Sequence, residues 1–281
     1  MGGAMAATIA RAGFEVTVWN RDRAKADELA AAIGLTVAPS AANAAGAEVV
    51  VTSLADDEAV LDVYLGSDGI VEGIGPGSVA VDTSTVDPET VVRIGSAIDA
   101  TGAGFLDAPV SGSVSTVEAG ALTVMVGGGD DELDFVRPVL DALASRIVHV
   151  GERGSGSATK LAVNGLVHGL NVALSEALVL AEKAGVDRST AYEVFAAGAG
   201  GAPFVQYKRD AYEHPEHAAV AFSLDLVAKD LELITGLGAR VGAPMRQAST
   251  GLDIVRRAID HGYGDRDLSA IAVYLREGGV V

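Results

Sequence analysis

Lys160, Asn164, His168, Asn171 and Ser175 are spaced at i, i+4, i+8, i+11 and i+15, so on a helix they form one polar line. Between Lys160 and Glu176 the remaining residues are mostly Leu, Val, Ala and Gly, with no other charge. A helix that is apolar over most of its circumference is a buried one. Its polar line then faces either water or a cleft. A solvated face normally carries Lys, Glu and Arg, whereas this one has Asn, His and Ser behind a single leading lysine. A lysine at the mouth of a cleft is a titratable group placed where proton transfer is commonly done.

Four other stretches have residue types suited to binding. Asn20-Arg21-Asp22-Arg23 ends an apolar run; at the end of a second strand, an acid would bind the ribose 2′-hydroxyl of NAD and an arginine the 2′-phosphate of NADP. Asn20 and Arg21 therefore favour NADP(H), with a solvated basic loop as the plain alternative. Leu54-Ala55-Asp56-Asp57 and Asp82-Thr83-Ser84-Thr85 follow strand-like runs, at the carboxyl edge where open parallel sheets take ligands. Asp56 and Thr85 could equally cap helices. The run Phe105–Ser113 reads as a strand end, a proline and a small-residue turn whose backbone amides could cradle a carboxylate, or as an ordinary loop. Asp225 and Lys229, at i and i+4, read as a surface ion pair.

The elements that carry these residues change character midway. Strand-like runs at Glu15–Trp19, Val49–Leu54, Ser78–Asp82, Gly104–Asp107, Leu122–Val126 and Ile147–Val150 alternate with helical stretches at Arg23–Ile33, Asp57–Tyr64 and Pro88–Thr101. That alternation predicts an α/β, Rossmann-like, doubly wound parallel sheet. Beyond Lys160 only helices are expected, over Ala158–Ala184, Arg188–Ala197, Leu224–Leu237, Pro244–His261 and Leu268–Leu275. The expected domains are residues 1–153 and an all-α domain, 154–281, opened by the long helix. The chain begins where a nucleotide-binding turn would already be entering its helix, without the usual first strand and G-x-G. A central strand cannot be left out without leaving backbone unpaired, so a longer natural chain is expected. The one complete G-x-G-x-x-A, Gly75–Ala80, leads into a strand and is a chance match.

Composition narrows the rest. A net charge of −18 argues against nucleic-acid binding, so an anionic ligand must be held by local groups. With no cysteine and no H-x-x-x-H or H-E-x-x-H spacing, neither disulfides nor a metal site is predicted. The apolar run of the long helix is short for a bilayer and broken by Asn and His, and no export signal is read. A cytoplasmic protein with no membrane partner is expected.

In chain order, Met1-Gly2, Asp107–Gly112 followed by Gly120–Gly128, Gly154–Asn164 and Lys229-Asp230-Leu231 resemble motifs of the β-hydroxyacid dehydrogenases. That family includes 3-hydroxyisobutyrate dehydrogenase and glyoxylate/succinic semialdehyde reductases, with 6-phosphogluconate dehydrogenase a larger relative. The resemblance covers essentially the whole chain. It implies hydride transfer between a nicotinamide cofactor, NADP with NAD possible, and a short hydroxy acid. It implies Lys160 as general acid and base, Asn164 holding substrate or lysine, and Ser111, Gly112 and Ser113 on the carboxylate. It implies cofactor contacts from Gly2, Asn20, Arg21, Leu54, Ala55, Ser84, Thr85 and Lys229. A homodimer or larger homo-oligomer is expected from the long apolar helix and aliphatic helical half. Ser113 and Gly165 stand where the family often has glycine and asparagine, and both positions bear on the substrate pocket. The rival readings are an imine or ketone reductase on the same scaffold and a catalytically inactive NADP-binding protein.

Overall fold

In the computed structural model, which describes residues 1–279, the chain divides into two compact units, Met1–Lys160 and a second that starts at Leu161. The boundary lies inside the long helix, later in the chain than the 153/154 boundary expected from the sequence.

In the first unit, β1 (Thr17–Val18) and β2 (Thr36–Val37) form a parallel pair. β3 (Val49–Thr52), β4 (Val79–Asp82) and β5 (Gly104–Asp107) are parallel and in register, with Thr52, Asp82 and Asp107 side by side. Both faces of this sheet are covered. Val79, Val81 and Leu106 pack with Met5, Ile9, Leu133 and Leu140, whereas Ala80 and Phe105 pack with Val60, Tyr64, Ile94 and Ile98. The two-residue period of a strand thus sends successive side chains into two separate cores. Each fully buried Leu or Ile contributes about 1.5–3 kcal/mol.

The far side of the sheet is mixed. β7 (Leu122–Gly127) runs antiparallel to β5 and to β6 (Val110–Ser111), and β8 (Ala144–Gly151) runs parallel to β7. The parallel, doubly wound character therefore extends through β5 and gives way beyond it. β6 lies within the stretch read from sequence as a turn, because two residues are too few to show an alternating pattern.

The second unit is helical. The long helix, Ser155–Lys183, starts three residues earlier than expected. Its Leu161, Val172, Leu174 and Leu178 share a core with Leu224, Leu231, Ile234, Leu252, Val255 and Ile271. The helix Leu224–Val241 is capped by the Ser223 hydroxyl, which accepts from the Leu226 amide, and ends at left-handed Gly242 (φ 72°). The expected Pro244–His261 helix is shorter, Arg246–Ala258, and passes into a wider turn over Ile259–Tyr263 that breaks at Gly262 (φ 86°).

The polar line of the long helix is not a solvated edge. Asn164, His168, Asn171 and Ser175 are 7%, 3%, 0% and 0% exposed. Its distal half is internal structure. Asn171 donates Nδ2–H to the Leu268 carbonyl (3.1 Å) and accepts from the Tyr212 hydroxyl (2.5 Å), while Ser175 donates to the Asn171 carbonyl (2.7 Å). By length and composition this 29-residue helix could cross a membrane, contrary to the sequence reading. Its buried polar groups are instead satisfied by neighbouring protein groups, as in a core helix.

Candidate active site

In the first unit the aligned strand ends are wired together by buried hydroxyls. Thr52 Oγ1 donates to Asp82 Oδ1 (2.7 Å), so its contact with the Tyr64 hydroxyl (2.9 Å) must be one that Tyr64 donates. Ser84 Oγ donates to the same Asp82 oxygen (2.7 Å) and accepts from the Leu54 amide (2.9 Å). Burial pushes both the Asp82 carboxyl and the Tyr64 phenol up from their ordinary values. Ser84 therefore ties the loop after β3 to the loop after β4. Of the other residues expected at this edge, Leu54 is half-buried, Ala55 exposed and Thr85 half-buried. Asp56 does cap the helix Asp57–Leu65, but the cap at Pro88 is Asp87 and not Thr85.

Gly2 opens the helix Gly2–Arg11, and a Cβ added there would sit 3.4 Å from Ser53 Cβ, so this helix start lies beside the loop after β3. The first backbone amides of a helix have no intrahelical acceptor, which suits an anion. Past β1, Asn20 Oδ1 accepts from the Asp22 amide (2.9 Å), and Asp22 caps Arg23–Ile33. That turn leaves Arg21 exposed, with no hydrogen bond or ion pair among the described residues.

β5 also sets the start of the long helix. Asp107 Oδ1 accepts from the Gly154 amide and Oδ2 from the Ser157 amide, both at 2.8 Å. The Asp107 carboxylate is thus a cap supplied from a strand 47 residues away in sequence. Burial pushes it up to about 6 against the pull of those amides. The fit is tight: a Cβ on Gly156 would lie 2.5 Å from the Asp107 carbonyl oxygen and 2.6 Å from that of Met125. Ser157 adds a hydroxyl donation to the Val86 carbonyl. Lys160 follows one turn after Ser157.

Ser111 pairs with Thr123 across β6 and β7, and its hydroxyl makes no hydrogen bond among the described residues. Gly112 sits at φ +147°, where a Cβ would come 2.6 Å from Leu122 Cδ2 and 2.9 Å from Thr116 Cγ2. Ser113 has a local duty: its hydroxyl caps the helix Val114–Glu118, and its own amide donates to Thr116 Oγ1 (3.2 Å). Of the three residues expected on a carboxylate, Ser111 and Gly112 keep groups to offer, and Ser113 shapes the turn.

In the helical unit, Asn164 belongs to a cluster centred on Asp230, which is 0% exposed. Asn164 Nδ2 donates to Asp230 Oδ2 (2.5 Å), His168 Nε2 lies 3.3 Å from the same oxygen, and Lys229 Nζ lies 2.9 Å from Oδ1. Burial pushes the Asp230 carboxyl up, but the His168 hydrogen bond and the Lys229 charge outweigh it and hold it below the ordinary carboxylate range. Lys229, expected at the cofactor, thus has a buried carboxylate beside it in its own helix. Asp107 and Asp230 were missed as site-forming residues. Both stood inside quoted motifs, but their partners lie 47 and 66 residues away, beyond any local pattern.

A family model described as the NAD binding domain of 6-phosphogluconate dehydrogenase matches residues 1–151, and one described as NAD-binding of NADP-dependent 3-hydroxyisobutyrate dehydrogenase matches 154–275. Glyoxylate/succinic semialdehyde reductase 1 of Arabidopsis thaliana is 34% identical over 96% of this chain and 93% of its own length. Two solved structures have the same fold. 3-Hydroxyisobutyrate dehydrogenase from Salmonella typhimurium is 28% identical, with TM-score 0.89 over 97% of this chain and 95% of that one. The Mycobacterium tuberculosis 3-hydroxyisobutyrate dehydrogenase, solved with L-serine, is 31% identical, with TM-score 0.85 over 98% and 96%.

Proposed function

This chain belongs to the β-hydroxyacid dehydrogenase family, and we propose that its Lys160 moves the proton of the reaction. The protein is an NAD(P)-dependent oxidoreductase of short hydroxy acids or their carbonyl partners. The nicotinamide supplies the hydride acceptor or donor. The residues at the first unit's edge suit that cofactor: the Gly2 helix start for the phosphates and the loops after β3 and β4 for the ribose and ring. Exposed Arg21, where an acid would serve NAD, supports a preference for NADP(H).

The observation that carries the assignment of Lys160 is its place on the helix. Asp107 and Ser157 tie the helix start to β5 and to Val86, so a lysine one turn on is fixed by the sheet it follows. In oxidation the neutral amine would take the hydroxyl proton as the carbinol carbon loses hydride; in reduction the ammonium would return it. Asn164, one turn further, would orient substrate or lysine. The Ser111 hydroxyl and the turn at Gly112 would hold the carboxylate. Exposed Leu166 and Leu180, 68% and 73% accessible on the long helix, support a homodimer or larger assembly built on that helix.

The test is steady-state kinetics with 3-hydroxyisobutyrate, L-serine, glyoxylate and succinic semialdehyde, alongside NADPH titration by fluorescence. Lys160→Ala should lower kcat by about 10²–10⁴ or more while NADPH binding stays nearly intact. Lys160→Arg should fail as well, since a guanidinium does not release its proton near neutral pH. An active Lys160→Arg enzyme refutes the role.

A further inference from the structure

Resting on the proposed hydroxy-acid reaction, we propose that His168 is a positioning residue, whose Nε2–H fixes the Asp230 carboxylate that in turn holds the Asn164 amide. The chemistry of the acceptor decides the donors. An ionised carboxylate can only accept, so the Asn164 amide must present its NH₂ to Asp230 Oδ2 and His168 must present Nε2–H. Two side chains on one helix, four residues apart, therefore converge on one oxygen of the Leu224–Val241 helix.

The tautomer is set from the other side of the ring. His168 Nδ1 is buried with no hydrogen-bond partner among the described residues. An N–H at Nδ1 would be buried without an acceptor, whereas one at Nε2 meets Asp230, so Nε2 is the nitrogen this site gives a proton. The ring plane is braced by Phe222, whose centroid is 5.9 Å away at 33°. Phe222 is itself anchored, because the Ala221 and Phe222 amides donate to Asp267 Oδ2 at 3.0 and 3.4 Å. Asp267 forms a buried ion pair with Lys208 at 2.8 and 2.9 Å. Three side chains and two amides thus stand in series behind one imidazole, which holds one carboxylate. At 3.3 Å the His168 contact is the longest of the three to Asp230.

A core histidine with only a packing role makes a different prediction. His168→Leu preserves bulk and removes the donor, whereas His168→Gln keeps an N–H at similar reach. On an enzyme active with a short hydroxy acid, His168→Leu should lose about tenfold or more in kcat with NADPH affinity unchanged, and His168→Gln should recover most of it. Independently, ¹⁵N-histidine NMR of the wild type should show His168 as the Nε2–H tautomer, assigned by its absence in His168→Gln and displaced in Asp230→Asn. Unchanged kcat in His168→Leu, equal losses in both variants, or an Nδ1–H tautomer would each overturn the inference. Absence of turnover by the wild type with every hydroxy acid would instead count against the proposed function, and the tautomer would still judge His168.

Discussion

Asp107→Asn tests how the helix carrying Lys160 is fixed to the sheet. Asp107 is 1% exposed, accepts two backbone amides and sits near a pKa of about 6, against an ordinary value of 3.8. Its folded value is raised, so the folded chain holds its proton to higher pH than the unfolded chain does. This contribution to stability is full below the unfolded value, falls as pH rises through both values, and has vanished above the folded one. The whole difference amounts to about 3 kcal/mol at ~1.36 kcal/mol per pH unit. Most of that window lies near the isoelectric point of about 4.5, where solubility is poor. Between pH 5 and pH 7 the same two values leave a loss of about 1 kcal/mol.

Asparagine cannot ionise, and its NH₂ would face one of the two backbone amides, Gly154 or Ser157, that now donate to the carboxylate. That clash destabilises the variant by about 1–3 kcal/mol at every pH, so it cancels from the pH dependence. The measurement is urea unfolding of both proteins by circular dichroism at several pH values from 5 to 7. The wild-type minus variant difference should shrink by about 1 kcal/mol as pH rises. Parallel curves would show that Asp107 titrates normally. A difference that grows with pH would show that the Gly154 and Ser157 amides outweigh burial, and the reasoning would be refuted.

Two further outcomes follow from geometry at the binding edges. Arg21→Ala should raise KM for NADPH by about tenfold or more, the scale of a lost charge-assisted hydrogen bond, and leave NADH nearly unaffected; equal losses for both cofactors would count against Arg21 as the 2′-phosphate group. Gly112→Ala should lower stability by about 1–3 kcal/mol, through the 2.6 Å approach to Leu122 and its φ of +147°, and raise KM for the hydroxy acid; an unchanged melting temperature would show that the turn yields without strain.

The fold was legible wherever local pattern and tertiary context agreed. Gly104–Asp107, Arg23–Ile33 and Arg188–Ala197 lie where the sequence places them, because hydrophobic period and capping residues point to the same ends. The polar line of the long helix was legible as a line, but its surroundings were not. Period tells which residues share a face; it does not tell whether water, a cleft or another helix covers that face. Asn171 proved to be covered by Tyr212 and the Leu268 carbonyl, 41 and 97 residues away, and Ser175 by Tyr212, 37 residues away. The same limit hid the cap at the start of the helix: Gly154–Ser157 shows no local capping residue because the cap arrives from β5.

Asp230, the hidden carboxylate of the helical unit, explains why the polar residues near Asn164 are worth burying. Removing an ionised group from water costs several kcal/mol, and apolar replacements of equal volume are often neutral or stabilising. Asp230 is therefore poorly explained as a stability device alone, since its three polar neighbours are what hold it ionised. Asn171 and Ser175 differ, for they bond to backbone carbonyls and a tyrosine and carry no charge. The one polar line thus has two physical purposes. Its distal half satisfies neighbouring groups in a core, and its proximal half fixes the direction of an amide one turn beyond Lys160. A helix that needed only the first purpose would have no use for a buried charge at Asp230.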